Sequence, residues 1–97
     1  MFFNTCDIYL GAFLVVNGCS LDDIRLDEGH RGKPNVSFIF SGSKVDACSK
    51  DFQSGQAMVN VASFKVALIH LKDMMFQAIR ENEKERRYHG NFREHHG

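Results

Sequence analysis

Nine residues near the start of the chain, Ile8-Tyr9-Leu10-Gly11-Ala12-Phe13-Leu14-Val15-Val16, carry no charge and almost no polarity. They follow Asn4-Thr5-Cys6-Asp7 and stop at Asn17-Gly18. Thr5 or Asn4 is the expected cap of a helix here, with Asp7 in the first turn, where a negative charge suits the free N–H groups. Gly18 supplies a left-handed exit. A helix that is apolar on nearly every side must be buried on more than one face. It therefore predicts a sandwich between a sheet and other helices, or between two subunits.

Farther on, Val36-Ser37-Phe38-Ile39-Phe40 is the strongest strand signal, β-branched and aromatic. Leu21, Ile24 and Leu26 form a weaker run among acidic residues. Between the two lies Asp27 to Asn35, with two glycines and the chain's one proline, so an antiparallel hairpin is expected. Ser41-Gly42-Ser43 opens a second helix, in which Val45, Cys48 and Phe52 recur at helical spacing. Ser54-Gly55 closes it, and Met58-Val59 is a candidate short edge strand. Asn60 is placed to cap the last and longest helix.

At 100° per residue, Val61, Phe64, Ala67, Leu68, Leu71, Met75, Ala78 and Ile79 share one arc of that last helix. Val66, Ile69 and Phe76 fall outside it, beside Lys65, Asp73 and Arg80. The expected fold is α+β in the order α-β-β-α-α, with a small antiparallel sheet packed against helices. Residues 1–79 form the single domain, and residues 80–97 a charged helical extension with a frayed end. Leu10, Phe13, Phe38, Phe40, Phe64, Leu68 and Leu71 are the expected core.

Composition narrows the function classes. Twelve Lys+Arg balance twelve Asp+Glu. A protein that lives by counterion release on nucleic acid is usually basic, and a DNA mimic would be acidic, so neither class is favoured. Cys6, Cys19 and Cys48 are odd in number and none are spaced as CxxC. That weighs against a zinc site or a disulfide framework, and free thiols packed as small hydrophobes in a reducing cytoplasm are expected. No basic residue precedes Arg25, unlike a secretory signal. The apolar run is far short of the ~20 residues of a membrane helix. A cytoplasmic protein with no membrane association follows.

The pattern Thr5-Cys6-Asp7-Ile8-Tyr9 leading into an apolar helix, then Val36-Ser37-Phe38-Ile39-Phe40, then Phe64 and Leu71-Lys72-Asp73, resembles a small prokaryotic domain family of unknown function. Its members occur in bacterial and in phage or mobile-element genomes. The resemblance spans roughly residues 4 to 77 and consists mostly of core patterning. It implies a fold and a genomic setting, and no activity.

No constellation carries a catalytic signature. Cys6 or Cys48 with His30 or His70 lacks any local motif for a thiol hydrolase. His70 reads as a solvated residue beside Asp73 and Gln77. His89, His95 and His96 lack the supporting groups of a metal site. The Gly29-His30-Arg31-Gly32-Lys33 loop matches neither a P-loop nor a dinucleotide fingerprint. No enzyme activity, metal or cofactor is expected.

The leading expectation is a non-enzymatic protein-interaction module of phage or mobile-element origin, such as an inhibitor of a bacterial immune or regulatory complex. It would bind a host or partner protein through Val66, Ile69, Phe76 and Arg80, and some of this surface is expected to be buried between chains, most simply in a two-fold homodimer. The alternative is a nucleic-acid-binding accessory. It would use Arg31 and Lys33 of the 28–35 loop with Lys84, Arg86, Arg87 and Arg93, and Tyr88 to stack. Glutamates in the same stretch oppose it.

Overall fold

The structure, a computed structural model, describes the backbone of residues 2–27 and 35–96 and the side chains of residues 2–27 and 35–83. Three strands and three helices follow the order β1 (Phe2–Thr5), α1 (Ile8–Val16), β2 (Ser20–Asp27), β3 (Asn35–Ser41), α2 (Val45–Ser54) and α3 (Val61–His96). The class is α+β with an antiparallel sheet. The order differs from α-β-β-α-α by one strand, β1, which precedes the apolar helix. The Met58-Val59 segment forms no strand; residues 56–60 have no regular structure.

The sheet order is β1-β3-β2, both pairings antiparallel. The strongest strand signal therefore lies at the centre. Phe40 is flanked by Phe3 and Leu21, and Phe38 by Thr5 and Ile24. Successive strand residues alternate faces, so Phe38 and Phe40 point together into the helices, where both are fully buried. Ile39 points to the other face. It is only 8% exposed. It stands apart from the main core and lines a depression of about 290 Å³ with Phe2, Asn4, Asp22, Asp23 and Arg25.

β2, an edge strand, carries a register shift in its pairing with β3 between Leu21 and Asp23, with Asp22 as the extra residue. The Ser20 hydroxyl donates to the Asp22 carboxylate at 2.9 Å. A bulge and three aspartates blunt this edge against pairing with another strand.

The N-cap of α1 is Asp7 rather than Thr5 or Asn4, two and three positions earlier. Its Oδ1 accepts from the N–H of Tyr9 at 2.9 Å and of Leu10 at 3.3 Å. Thr5 supports the cap instead, its Oγ1 accepting from the Asp7 N–H at 3.1 Å. Leu10 to Leu14 are all buried, while Tyr9 is exposed. The helix packs on α3, α2 and all three strands, as an all-round apolar helix requires. Gly18 leaves α1 at φ +85°, the left-handed exit expected of it.

α2 packs chiefly on α1, turning Val45, Cys48 and Phe52 inward, with the Phe13 and Phe52 rings 5.9 Å apart. The N-cap of α3 is Asn60, whose Oδ1 accepts from the Ser63 N–H at 3.0 Å. Its core face carries Ala67 and Leu71, fully or nearly buried, with Phe64, Leu68 and Met75 packed alongside. Five of the seven expected core residues are buried, and Phe64 and Leu68 sit at the rim. The boundary between residues 79 and 80 falls within α3.

Candidate interaction surface

The long helix positions the candidate site. Helical geometry sets Ile69, Phe76 and Val66 roughly 140–160° around the axis from Leu71. With Leu71 fixed in the core, those three side chains must face outward. They do: Val66 is 68% exposed, Ile69 50% and Phe76 53%. Arg80 is exposed on the same flank. The four expected partner-binding residues thus share one face of α3, directed away from its own domain.

Two turns of this face continue into a groove. Val15 at the end of α1 and Ala62, Ser63, Val66, Ala67 and His70 of α3 line a depression of about 480 Å³. Val61 and Met58, at 80% and 89% exposure, are further exposed apolar side chains at and just before the start of α3, and neither lines the groove; Val61, placed on the core-facing arc by its spacing, is left uncovered in the first turn. His70 is exposed, as the sequence indicates, and forms one wall of the groove. Val15 is the groove residue that sequence periodicity misses. Only the tertiary packing of α1 on α3 places it there.

The charges around the stripe are solvated. Among the described residues the close ion pairs are Arg25–Asp23 at 3.7 Å and Lys50–Asp46 at 3.4 Å, both exposed and each contributing little. Neither touches the stripe. Asp73 and Arg80 interrupt it at positions four residues after Ile69 and Phe76.

The alternative nucleic-acid residues lie outside the described residues: Arg31 and Lys33 in the loop, and the side chains of Lys84, Arg86, Arg87, Tyr88 and Arg93. His30, His89, His95 and His96 lie outside them too. Among the described residues no group of three or more His, Cys, Asp or Glu side chains is placed to hold a metal ion. No helix among them is long and apolar enough to cross a membrane.

The cysteines divide. Cys6 is exposed, its Sγ 3.5 Å from the Ser37 hydroxyl, which corrects the expectation that it packs as a core hydrophobe. Cys19 and Cys48 are buried and belong to the core. Burial, and then the neighbouring Cys48 thiol, push the Cys19 thiol above its ordinary pKa, against a smaller opposing effect of the Lys44 ammonium.

No protein-family model, curated protein or solved structure matches this chain.

Proposed function

We propose that the protein is a non-enzymatic interaction module whose partner is a protein seated on the outer face of α3. The supporting observation is the exposed stripe of Val66, Ile69 and Phe76, continuous with the groove at Val15 and Ala62. Scattered exposed hydrophobes are ordinary, but an apolar patch on one rigid helix, open to a groove, is a feature of recognition surfaces. The partner would be an amphipathic helix or apolar ridge laid along α3, with charges that answer Asp73 and Arg80. An origin in a phage or mobile element, and inhibition of a bacterial immune or regulatory complex, rest on the resemblance of the core pattern alone.

The interrupting charges favour a foreign partner over a second copy. Ala62, Val66, Ile69, Asp73, Phe76 and Arg80 follow alternating steps of four and three residues, as along a coiled-coil seam. Two copies in parallel would set Asp73 against Asp73 and Arg80 against Arg80. Two antiparallel copies that match Val66 to Phe76 would set Ile69 against Asp73. A desolvated charge facing an apolar residue or its own like is costly.

The test is capture on the immobilised native chain, compared with Ile69→Glu and Phe76→Glu chains and with an Asp23→Lys chain altered on the opposite sheet face. Stoichiometric capture of one protein, abolished by the two α3 changes and kept by Asp23→Lys, is the expected result. Binding of nucleic acid that weakens steeply with salt and ignores Phe76→Glu would move the function to the basic residues instead.

A further inference from the structure

The sheet has two edges, and they are not alike. β2 forms one, with its bulge and its three aspartates. β1 forms the other. Phe2-Phe3-Asn4-Thr5 has no charge, no proline and no glycine, and it runs against β3 without a break in register. In an antiparallel pair every second residue turns its N–H and C=O away from its neighbour. Half of this four-residue strand therefore aims backbone donors and acceptors outward. Among the described residues no backbone hydrogen bond from a helix or loop reaches that side. Nothing in β1 itself opposes a further strand.

So short an edge gives few backbone bonds, and a bound strand needs a side-chain anchor as well. One lies beside it. A depression of about 380 Å³ is lined by Phe2, Phe3, Gly42, Ser43, Val45 and Asp46. Phe3 shares the helix face of the sheet with its partner Phe40, and Val45 belongs to the same core. A residue added opposite Phe3 points to that face too, toward the first turn of α2. Phe2 is 74% exposed and presents a free ring. Among the described residues Asp46 is the charged group of the lining. Its carboxylate meets Lys50 at 3.4 Å with both side chains exposed, a solvated pair worth little and open to a second cation. Lys44 lines a separate depression, with Asn17 and Cys19. Two aromatic rings and a carboxylate around one hollow match a long basic side chain. Its methylenes lie on the rings and its charged end reaches the carboxylate.

We propose that the free edge of β1 binds an extended peptide segment of a second protein, which joins the sheet as a fourth strand and sets one arginine or lysine in the depression of Phe2, Phe3 and Asp46. Backbone bonds hold the segment in register, and the basic side chain selects it. The strand order becomes peptide-β1-β3-β2, and the bulged, acidic edge of β2 still blocks growth at the far end. The depression shares no lining residue with the groove on α3, so the two surfaces bind independently.

The test selects random eight-residue peptides, displayed on phage, against the immobilised full chain. Enriched sequences are synthesised with blocked ends and their affinities measured by fluorescence anisotropy. The expected peptides alternate β-branched residues and carry one arginine or lysine at a fixed position. Phe2→Ser and Asp46→Asn should each weaken binding roughly three- to fivefold, and Asp46→Lys should turn the preference to glutamate at the same position. N-methylation of a peptide N–H that faces β1 should cost about tenfold. Amide exchange followed by NMR should slow at alternate residues of β1 on binding and stay unchanged in β2. Phe76→Glu should leave the affinity as it is. Phe2 and Asp46 are exposed, so the altered chains should keep the native thermal midpoint; if either does not, the exchange pattern of the native chain decides. No enrichment above a surface without protein would overturn the proposal. So would peptides that ignore both Phe2→Ser and Asp46→Asn, that slow no β1 amide, or that are lost with Phe76→Glu and so belong to α3. A native chain that dimerises in sedimentation by pairing β1 with its own copy would overturn it too, by giving the edge to a second copy.

Discussion

Gly11 shows how closely single atoms are held in this core. A Cβ there would lie 3.3 Å from Leu71 Cδ1 and 3.4 Å from Phe40 Cζ. Both neighbours are fully buried and have nowhere to move. Alanine gains about 1 kcal/mol of helix propensity over glycine, but overpacking a tight core costs roughly 1–3 kcal/mol. We therefore expect Gly11→Ala to destabilise by about 1 kcal/mol and Gly11→Val by more, measured by denaturant unfolding. Phe38, buried in the central strand, is the opposite case. Phe38→Ala leaves a cavity and should cost about 3–5 kcal/mol, a large part of the stability of a small domain; a loss below 1 kcal/mol would show that the strand is not central. Cys19 gives a pH signature, with Cys48 and Lys44 as the titratable groups beside it. Its folded pKa is raised, so the folded state holds the proton more tightly than the unfolded one. That stability is fully present below the ordinary thiol value of 9.0 and is lost as pH rises through the higher folded value. Unfolding of the reduced chain should show this alkaline loss, and Cys19→Ala should remove it.

Elements whose signals are local could be read from the chain, and those that depend on distant partners could not. The apolar run, the aromatic strand, the Asn60 cap and the long periodic helix each announce themselves within a few residues. β1 does not. It has four residues, and Asn4 and Thr5 look like caps for the helix that follows. What makes it a strand is its pairing with β3, some thirty-five residues on. The same competition displaced the cap of α1 to Asp7. Because Asp7 accepts two backbone N–H bonds at an otherwise bare helix start, Asp7→Ala should cost about 1 kcal/mol, and Asp7→Asn or Asp7→Ser much less. The outward flank of α3 was legible for the same local reason: one buried residue, Leu71, fixes the direction of every other. The groove beside it was not, because Val15 reaches it through the packing of α1.

At the scale of the whole molecule, α3 sets the shape. Its 36 residues span about 54 Å, close to the longest dimension of 57 Å, while the other two are 27 and 23 Å. The rest of the fold clasps one side of the first half of this rod. The sheet and α1 together satisfy Ala67, Leu71 and their neighbours, and leave the other side without a cover from its own domain. A molecule built this way can lose an outward side chain without losing its fold. Phe76 is the sharpest place to test that separation. At 53% exposure its ring is not needed by the core, so Phe76→Glu should shift stability by no more than about 0.5 kcal/mol. Buried beneath a partner, the same carboxylate would be desolvated without a counter-charge, at a cost large enough to remove most of the binding. We expect the native chain and Phe76→Glu to sediment alike, as monomers at micromolar concentration, and to unfold at the same midpoint, while only the native chain retains its partner. A native dimer that Phe76→Glu dissociates would instead make the second copy the occupant of this face, despite the opposed charges at Asp73 and Arg80.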